Sequence, residues 1–163
     1  THSTSSAASD VYKRQFVDYA HTPDALEKAC TTLRELEPNR LITVFGCGGD
    51  RDRAKRPLMA KAASANSDAV VITSDNPRTE DPQQILRDTE AGLQTGTPSV
   101  TIEDRKEAIR QAIFDAKERD IVLIAGKGHE TYQEFADGKI DFDDRLVAQH
   151  AINDLRNERA KES

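Results

Sequence analysis

The chain has 163 residues, 36% of them hydrophobic and 32% charged, enough for one domain with its own core. Its formal charge of −6 runs against the basic footprint of a nucleic-acid binder, and it contains no apolar run of about 18 residues that would span a membrane. Cys30 and Cys47 lie outside any CxxC or Cys/His spacing, which excludes the familiar zinc patterns and points to a reducing, cytoplasmic setting.

The opening THSTSSAASDVYKRQ is small and polar, then basic, without hydrophobic period or apolar signal core. Residues 1–15 are therefore expected to be a vector- or adapter-derived joint, with organised sequence starting at Phe16. A domain over 16–157 and a tail over 158–163 complete the expected division.

From Phe16-Val17 onward, strand-like and helix-like stretches alternate. Thr22-Pro23-Asp24 reads as an N-cap, a proline at the first helical position and an acid in the first turn. Ala25, Leu26, Ala29, Cys30, Leu33 and Leu36 follow at spacings of three and four and predict one buried helical stripe. Leu41 to Phe45 is a strand closed by Gly46-Cys47-Gly48-Gly49. A second helix is expected from Pro57, with Leu58, Met59, Ala62 and Ala63 inward. Ala69 to Ile72 is the next strand, and Asp81-Pro82 caps a helix carrying Ile85, Leu86 and Leu93. A short strand near Ser99 to Ile102 precedes a helix predicted over Arg105 to Arg119. Ile121 to Ala125 forms a strand ending in Gly126-Lys127-Gly128. A polar hairpin around Asp137-Gly138 comes next, and Asp143 starts a last helix with Val147, Ala151 and Leu155 inward.

Alternation of this kind with continuous apolar strands predicts an α/β, three-layer Rossmann-like fold with a mostly parallel sheet. Ligands of such sheets sit beyond the carboxyl ends of the strands. Three unusual segments fall there: GCGGDRDR (46–53), DNPR (75–78) and AGKGHE (125–130). Their convergence predicts a small-ligand site.

Neither glycine loop is a nucleotide cradle by motif. A phosphate-binding GxxxxGK[ST] would need glycine at 121 and Ser or Thr at 128, where this chain has Ile121 and Gly128. Gly46-x-Gly48 lacks the third glycine of a dinucleotide fingerprint, because position 51 is Arg51. Arg51, Arg53, Lys55 and Arg56 against Asp50 and Asp52 leave a local +2 in a chain of −6. Cations at a helix N-terminus are unfavourable unless they face an anion, so a carboxylate or phosphate ligand is one way to relieve them. His21 and His129 flank strand ends, while His150 sits within a helix. No spacing supports nucleophilic catalysis or a metal site, and no catalytic residue or metal ligand is assigned.

VDYAHTPDALE (17–27), FGCGGDRDRAKRPLM (45–59), SDNPRTEDP (74–82) and AGKGHETYQ (125–133) together resemble the C-terminal domain of the Mur ligases, in particular the members that add diaminopimelate. The resemblance covers essentially all of 16–157; Ala54 stands where glycine is common in the family. It implies an ATP-dependent, magnesium-using, amide-forming ligase of peptidoglycan precursor synthesis, whose other domains hold UDP-N-acetylmuramoyl-L-alanyl-D-glutamate and the phosphate-binding loop. This domain would bring the amino acid, and alone it should be inactive. Arg78 and Asn76 would bind the distal carboxylate of meso-diaminopimelate, with Pro77 fixing the turn. Asp75, Glu130 and the Gly126 backbone would receive the distal ammonium, and Arg51 the carboxylate nearer the reacting amine. Asp18, Tyr19, His21 and Thr22 would lie toward the nucleotide, although Thr22 is also explained as a helix cap. Lysine lacks the second carboxylate and would leave Arg78 unpaired, at a cost of about 2–5 kcal/mol. A lysine-adding ligase and a stand-alone amino-acid- or anion-binding module are the alternatives.

Overall fold

The computed structural model describes residues 2–3 and 13–162. Its elements in chain order are strands β1 (His2–Ser3) and β2 (Lys13–Asp18), helix α1 (Pro23–Arg34), β3 (Leu41–Cys47), α2 (Lys55–Asn66), β4 (Ala69–Ser74) and α3 (Pro82–Glu90). They continue with β5 (Ser99–Thr101), α4 (Arg105–Asp115), β6 (Asp120–Ala125), the hairpin β7 (Tyr132–Phe135) and β8 (Gly138–Asp141), and α5 (Asp144–Glu162). Among the described residues no helix is long and apolar enough to cross a membrane.

The main sheet has the order β1-β2-β6-β3-β4-β5. β2 through β5 run parallel, and β1 pairs antiparallel at the edge. Strands buried on both faces are mostly apolar, and β3, β4 and β6 carry apolar runs, with Thr43, Thr73, Ser74 and Asp120 as their buried polar members. Successive residues then serve opposite layers. Leu41, Phe45, Val70, Ile72, Ile121 and Leu123 pack with Leu26, Leu33, Met59, Ala63, Ile85 and Leu86 of α1, α2 and α3. Ile42, Val44, Val71, Val122 and Ile124 pack instead with Ala108, Ile109, Ile113, Ala148, Ala151 and Ile152 of α4 and α5. The result is the expected three-layer α/β sandwich. Each fully buried Leu, Ile or Phe in it contributes about 1.5–3 kcal/mol.

The register brings the carboxyl ends of four strands to one level, pairing Asp18 and Phe45 with Ala125, and Cys47 with Ser74. After β3 the chain turns to the layer of α2; after β6 it turns to the hairpin and α5 on the opposite layer. Neighbouring strands whose connections diverge leave a crevice at their carboxyl ends. Arg105 closes the bottom of that region. It is fully buried; Nε and Nη2 fork onto Asp144 at 2.8 and 2.7 Å, while Nη1 donates to the Ser74 carbonyl and Nη2 also to that of Ala125.

Several expectations need correction. β2 starts at Lys13, and Gln15 is fully buried beside β6, so residues 13–15 belong to the sheet although their composition is polar. His2 and Ser3 pair with Val17 and Phe16; the remainder of 1–12 lies outside the described residues. α5 continues to Glu162, so the expected tail 158–162 is helical. α4 stops at Asp115, where Ala116 turns extended. Leu36 is 47% exposed because α1 has ended at Arg34 and the helical period no longer aims it inward. α2 opens at Lys55, and its buried stripe is Arg56, Met59, Ala60, Ala63 and Ser64, which leaves Leu58 at 52% exposure. An arginine takes the inward place because two carboxylates meet it there.

Candidate functional site

A cleft of about 380 Å³ opens over the carboxyl ends of β3, β4 and β6. Arg51, Asp75, Asn76, Arg78, Gly126 and Glu130 line it together with Tyr19 and His21, so six of the seven residues expected at an amino-acid site are gathered there. The seventh, Pro77, is buried behind the rim.

Glycines let the first two loops interlock. A Cβ on Gly46 would lie 2.4 Å from the Thr73 carbonyl oxygen, and one on Gly49 only 1.8 Å from that of Pro77. The Gly49 amide donates to the Asn76 carbonyl at 2.8 Å. A Cβ on Gly48 would come within 2.9 Å of Arg78 Nη1 and 3.8 Å of Arg51 Cγ, so both cationic side chains converge over this glycine.

The hairpin secures the DNPR turn from the other side. Glu134 N–H donates to Asn76 Oδ1 at 2.9 Å, Gln133 Nε2 to the Asp75 carbonyl at 2.8 Å, and Arg78 N–H to the Glu134 carbonyl at 2.9 Å. Arg78 sits at φ 53, a left-handed conformation that a side-chain-bearing residue adopts only when its surroundings hold it there. Its guanidinium donates to the Gly49 carbonyl at 3.0 Å and stands 3.4 Å from Glu134 Oε1. Arg78 therefore has protein partners before any ligand arrives, which lowers the penalty expected for an amino acid lacking the second carboxylate.

The cationic island resolves into two groups. Arg56 is 1% exposed; it donates to Glu80 at 2.8 Å, to Asp88 at 3.0 Å and to the Gly48 carbonyl at 3.1 Å. Arg53 also reaches Asp88, at 3.1 Å. Protein carboxylates thus answer two of the four cations, so a ligand anion is not needed to relieve them. The Arg56 hydrogen bond holds the Glu80 carboxyl below its ordinary range. Asp50 is held low by the Thr79 hydroxyl and amide, which bonds the tip of this loop to the residue after Arg78. Arg51 and Lys55 remain at the cleft, Arg51 donating to the Asp50 carbonyl at 2.9 Å. On the floor, burial pushes the Cys47 thiol up to about 11, which keeps it protonated and unsuited to nucleophilic attack.

Sequence reasoning assigned no role to Lys127, which is fully buried next to the cleft. Its ammonium lies 3.1 Å from Asp75 Oδ1, 3.1 Å from Asn76 Oδ1 and 3.4 Å from Glu130 Oε1. Asn76 Nδ2 in turn donates to the same Glu130 oxygen at 3.4 Å. The available signal was a lysine at the end of a buried strand, since lysine is almost never fully buried unless paired.

Asp18, Tyr19 and His21 share an open shelf beside α1, and Tyr19 and His21 also reach the main cleft. Asp18 Oδ1 accepts from the Ala20 amide, and the His21 ring packs edge-on to Tyr19 at 4.6 Å. Thr22 stands apart: its hydroxyl accepts from Ala25 N–H at 3.2 Å as the N-cap of α1.

The family model described as "Mur ligase, glutamate ligase domain" matches residues 9–128. The UDP-N-acetylmuramoyl-L-alanyl-D-glutamate--2,6-diaminopimelate ligase of Geobacillus thermodenitrificans is 61% identical over 141 residues, 86% of this chain and 29% of that protein. The enzyme of the same name from Solibacter usitatus is 59% identical over 137 residues, 83% of this chain and 28% of its own length. A solved structure of a ligase with this name superposes with a TM-score of 0.87 at 49% identity, covering 90% of this chain and 30% of that one. The UDP-N-acetylmuramate-alanine ligase of Thermotoga maritima, at 20% identity and a TM-score of 0.58, shares the fold. The chain spans about three tenths of the length of the relatives it matches. With that match, and with the three motif-bearing loops meeting in one cleft, the chain belongs to the Mur ligase family and corresponds to its glutamate ligase domain.

Proposed function

We propose that this chain is the amino-acid-binding domain of an ATP-dependent ligase that joins meso-diaminopimelate to UDP-N-acetylmuramoyl-L-alanyl-D-glutamate. The observation that carries the reading is the charge layout of the cleft. Arg51 and Arg78 converge over Gly48, while Asp75 and Glu130 meet beside Asn76. A double-headed amino acid presents a carboxylate and an ammonium at its far end. Its distal carboxylate goes to Arg78, whose planar fork suits two oxygens, with the Asn76 amide beside it. The distal ammonium goes to Asp75, Glu130 and the Gly126 backbone, and the carboxylate near the reacting amine goes to Arg51.

In the proposed reaction ATP activates the glutamate carboxylate of the nucleotide substrate as an acyl phosphate, and the free amine of diaminopimelate displaces the phosphate. This chain's part is orientation, with cleft residues holding the amine in line and closure excluding water. By the family resemblance, magnesium would be held mainly with the ATP phosphates by the part of the ligase that carries the phosphate-binding loop, since magnesium takes one or two carboxylates together with phosphate oxygens. The exposed Tyr19 face and the Asp18 carboxylate at the shelf suit a nucleoside at the domain boundary. The direct test is ligation by the full-length enzyme carrying this domain. Phosphate release that requires ATP, the UDP-dipeptide and diaminopimelate together supports the reading; release with lysine at equal or greater efficiency contradicts it.

A further inference from the structure

We propose that Lys127 is a positioning residue for amino-acid selection: its buried ammonium binds Asp75, Asn76 and Glu130 into one unit that has capacity for a single incoming ammonium. The inference deepens the proposed function and rests on it. Lys127 does not line the cleft; its ammonium donates to Asn76 Oδ1 at 3.1 Å and to Glu130 Oε1 at 3.4 Å, and forms an ion pair with Asp75 Oδ1 at 3.1 Å. The Tyr132 ring closes the remaining side, its centroid 5.6 Å from Nζ.

The formal charges decide what the unit can take. Two carboxylates and one ammonium leave −1, which one ligand ammonium neutralises. Without Lys127 the two carboxylates would face each other at −2 at a partly buried site, where like charges repel strongly. They would separate, and the geometry that receives the ligand would be lost. Arg105 cannot replace it, because its guanidinium is committed to Asp144 and to the Ser74 and Ala125 carbonyls. The same ammonium holds Asn76 Oδ1, so the amide keeps Nδ2 turned toward Glu130 and the cleft. Lys127 thus acts on both ends of the recognition pattern without touching the ligand.

The test uses the full-length ligase with Lys127→Met, and Lys127→Gln as a second variant that keeps a neutral amide donor. A misplacement of about 1 Å at such a site costs up to about a hundredfold, so KM for diaminopimelate should rise roughly ten- to a hundredfold. KM for ATP and for the UDP-dipeptide should stay within about twofold, a split that a general folding defect would not produce. Glu130→Gln added to Lys127→Met should cost no more than about a further twofold, because the partner it removes is already misplaced. An unchanged diaminopimelate KM in either folded variant, or full additivity with Glu130→Gln, overturns the role of Lys127. Failure of the wild-type enzyme to turn over diaminopimelate overturns instead the reading on which it rests.

Discussion

Replacing Arg78 with lysine isolates the fork from the charge. In the cleft the Arg78 side chain is 20% exposed, donates to the Gly49 carbonyl at 3.0 Å and stands 3.4 Å from Glu134. A lysine ammonium can keep the Gly49 bond and the attraction to Glu134, so the fold should tolerate the change. What it loses is the second parallel hydrogen bond to a carboxylate, and bonds to charged groups are worth about 1.5–3 kcal/mol each. Residual exposure and the pre-existing partners place the loss toward the lower end. The ratio of kcat/KM for diaminopimelate over lysine should then fall by about ten- to thirtyfold, at 1.4 kcal/mol per factor of ten. The starting expectation of about 2–5 kcal/mol was larger because it assumed that lysine leaves the guanidinium without partners. The assay is steady-state phosphate release by the full-length enzyme with each amino acid in turn. A ratio unchanged within twofold refutes the specificity argument.

Other consequences are independent of that site. Arg105→Met should destabilise the domain by about 3–5 kcal/mol in urea denaturation, since it leaves the Asp144 charge buried and unpaired. Adding Asp144→Leu should recover much of that loss. Thr22→Ala should lower stability by about 0.5–2 kcal/mol through loss of the Ala25 cap, and leave KM for ATP within twofold; a large KM effect would move Thr22 to the nucleotide. Glu80 and Asp50 sit below their ordinary values of 4.5 and 3.8. Groups lowered by folding stabilise fully above those values and lose that contribution as pH falls through the folded pKa. The urea midpoint should thus hold flat down to about pH 5 and drop below it, less steeply in Glu80→Gln; a midpoint rising on acidification contradicts the linkage.

The sequence made the layer architecture legible because apolar runs and caps are local signals. Asp81 and Thr22 cap the helices they were expected to cap, and β3, β4 and β6 fall where their runs of Val, Ile and Leu place them. The meeting of three loops was legible as well, since parallel strands deliver their carboxyl ends to one edge. Ion pairs that join distant segments were not. Arg56 reads as one more cation at a helix start until Glu80 and Asp88 fold over it, 24 and 32 positions on. Lys127 reads as a failed phosphate loop until Asp75 and Asn76 arrive from β4. Gln15 shows the converse error, a polar residue in a polar run that the sheet nonetheless buries. Leu36 and Leu58 match a helical spacing by count, but the ends and phase of the helices decide their exposure.

A crystal structure of the full-length ligase with diaminopimelate bound tests the central claim most directly. The account places the distal carboxylate about 3 Å from the Arg78 guanidinium and the distal ammonium at similar distance from Asp75 and Glu130, with Lys127 behind them. Diaminopimelate seated away from the rim of the three loops, or reversed so that its ammonium faces Arg78, would contradict it.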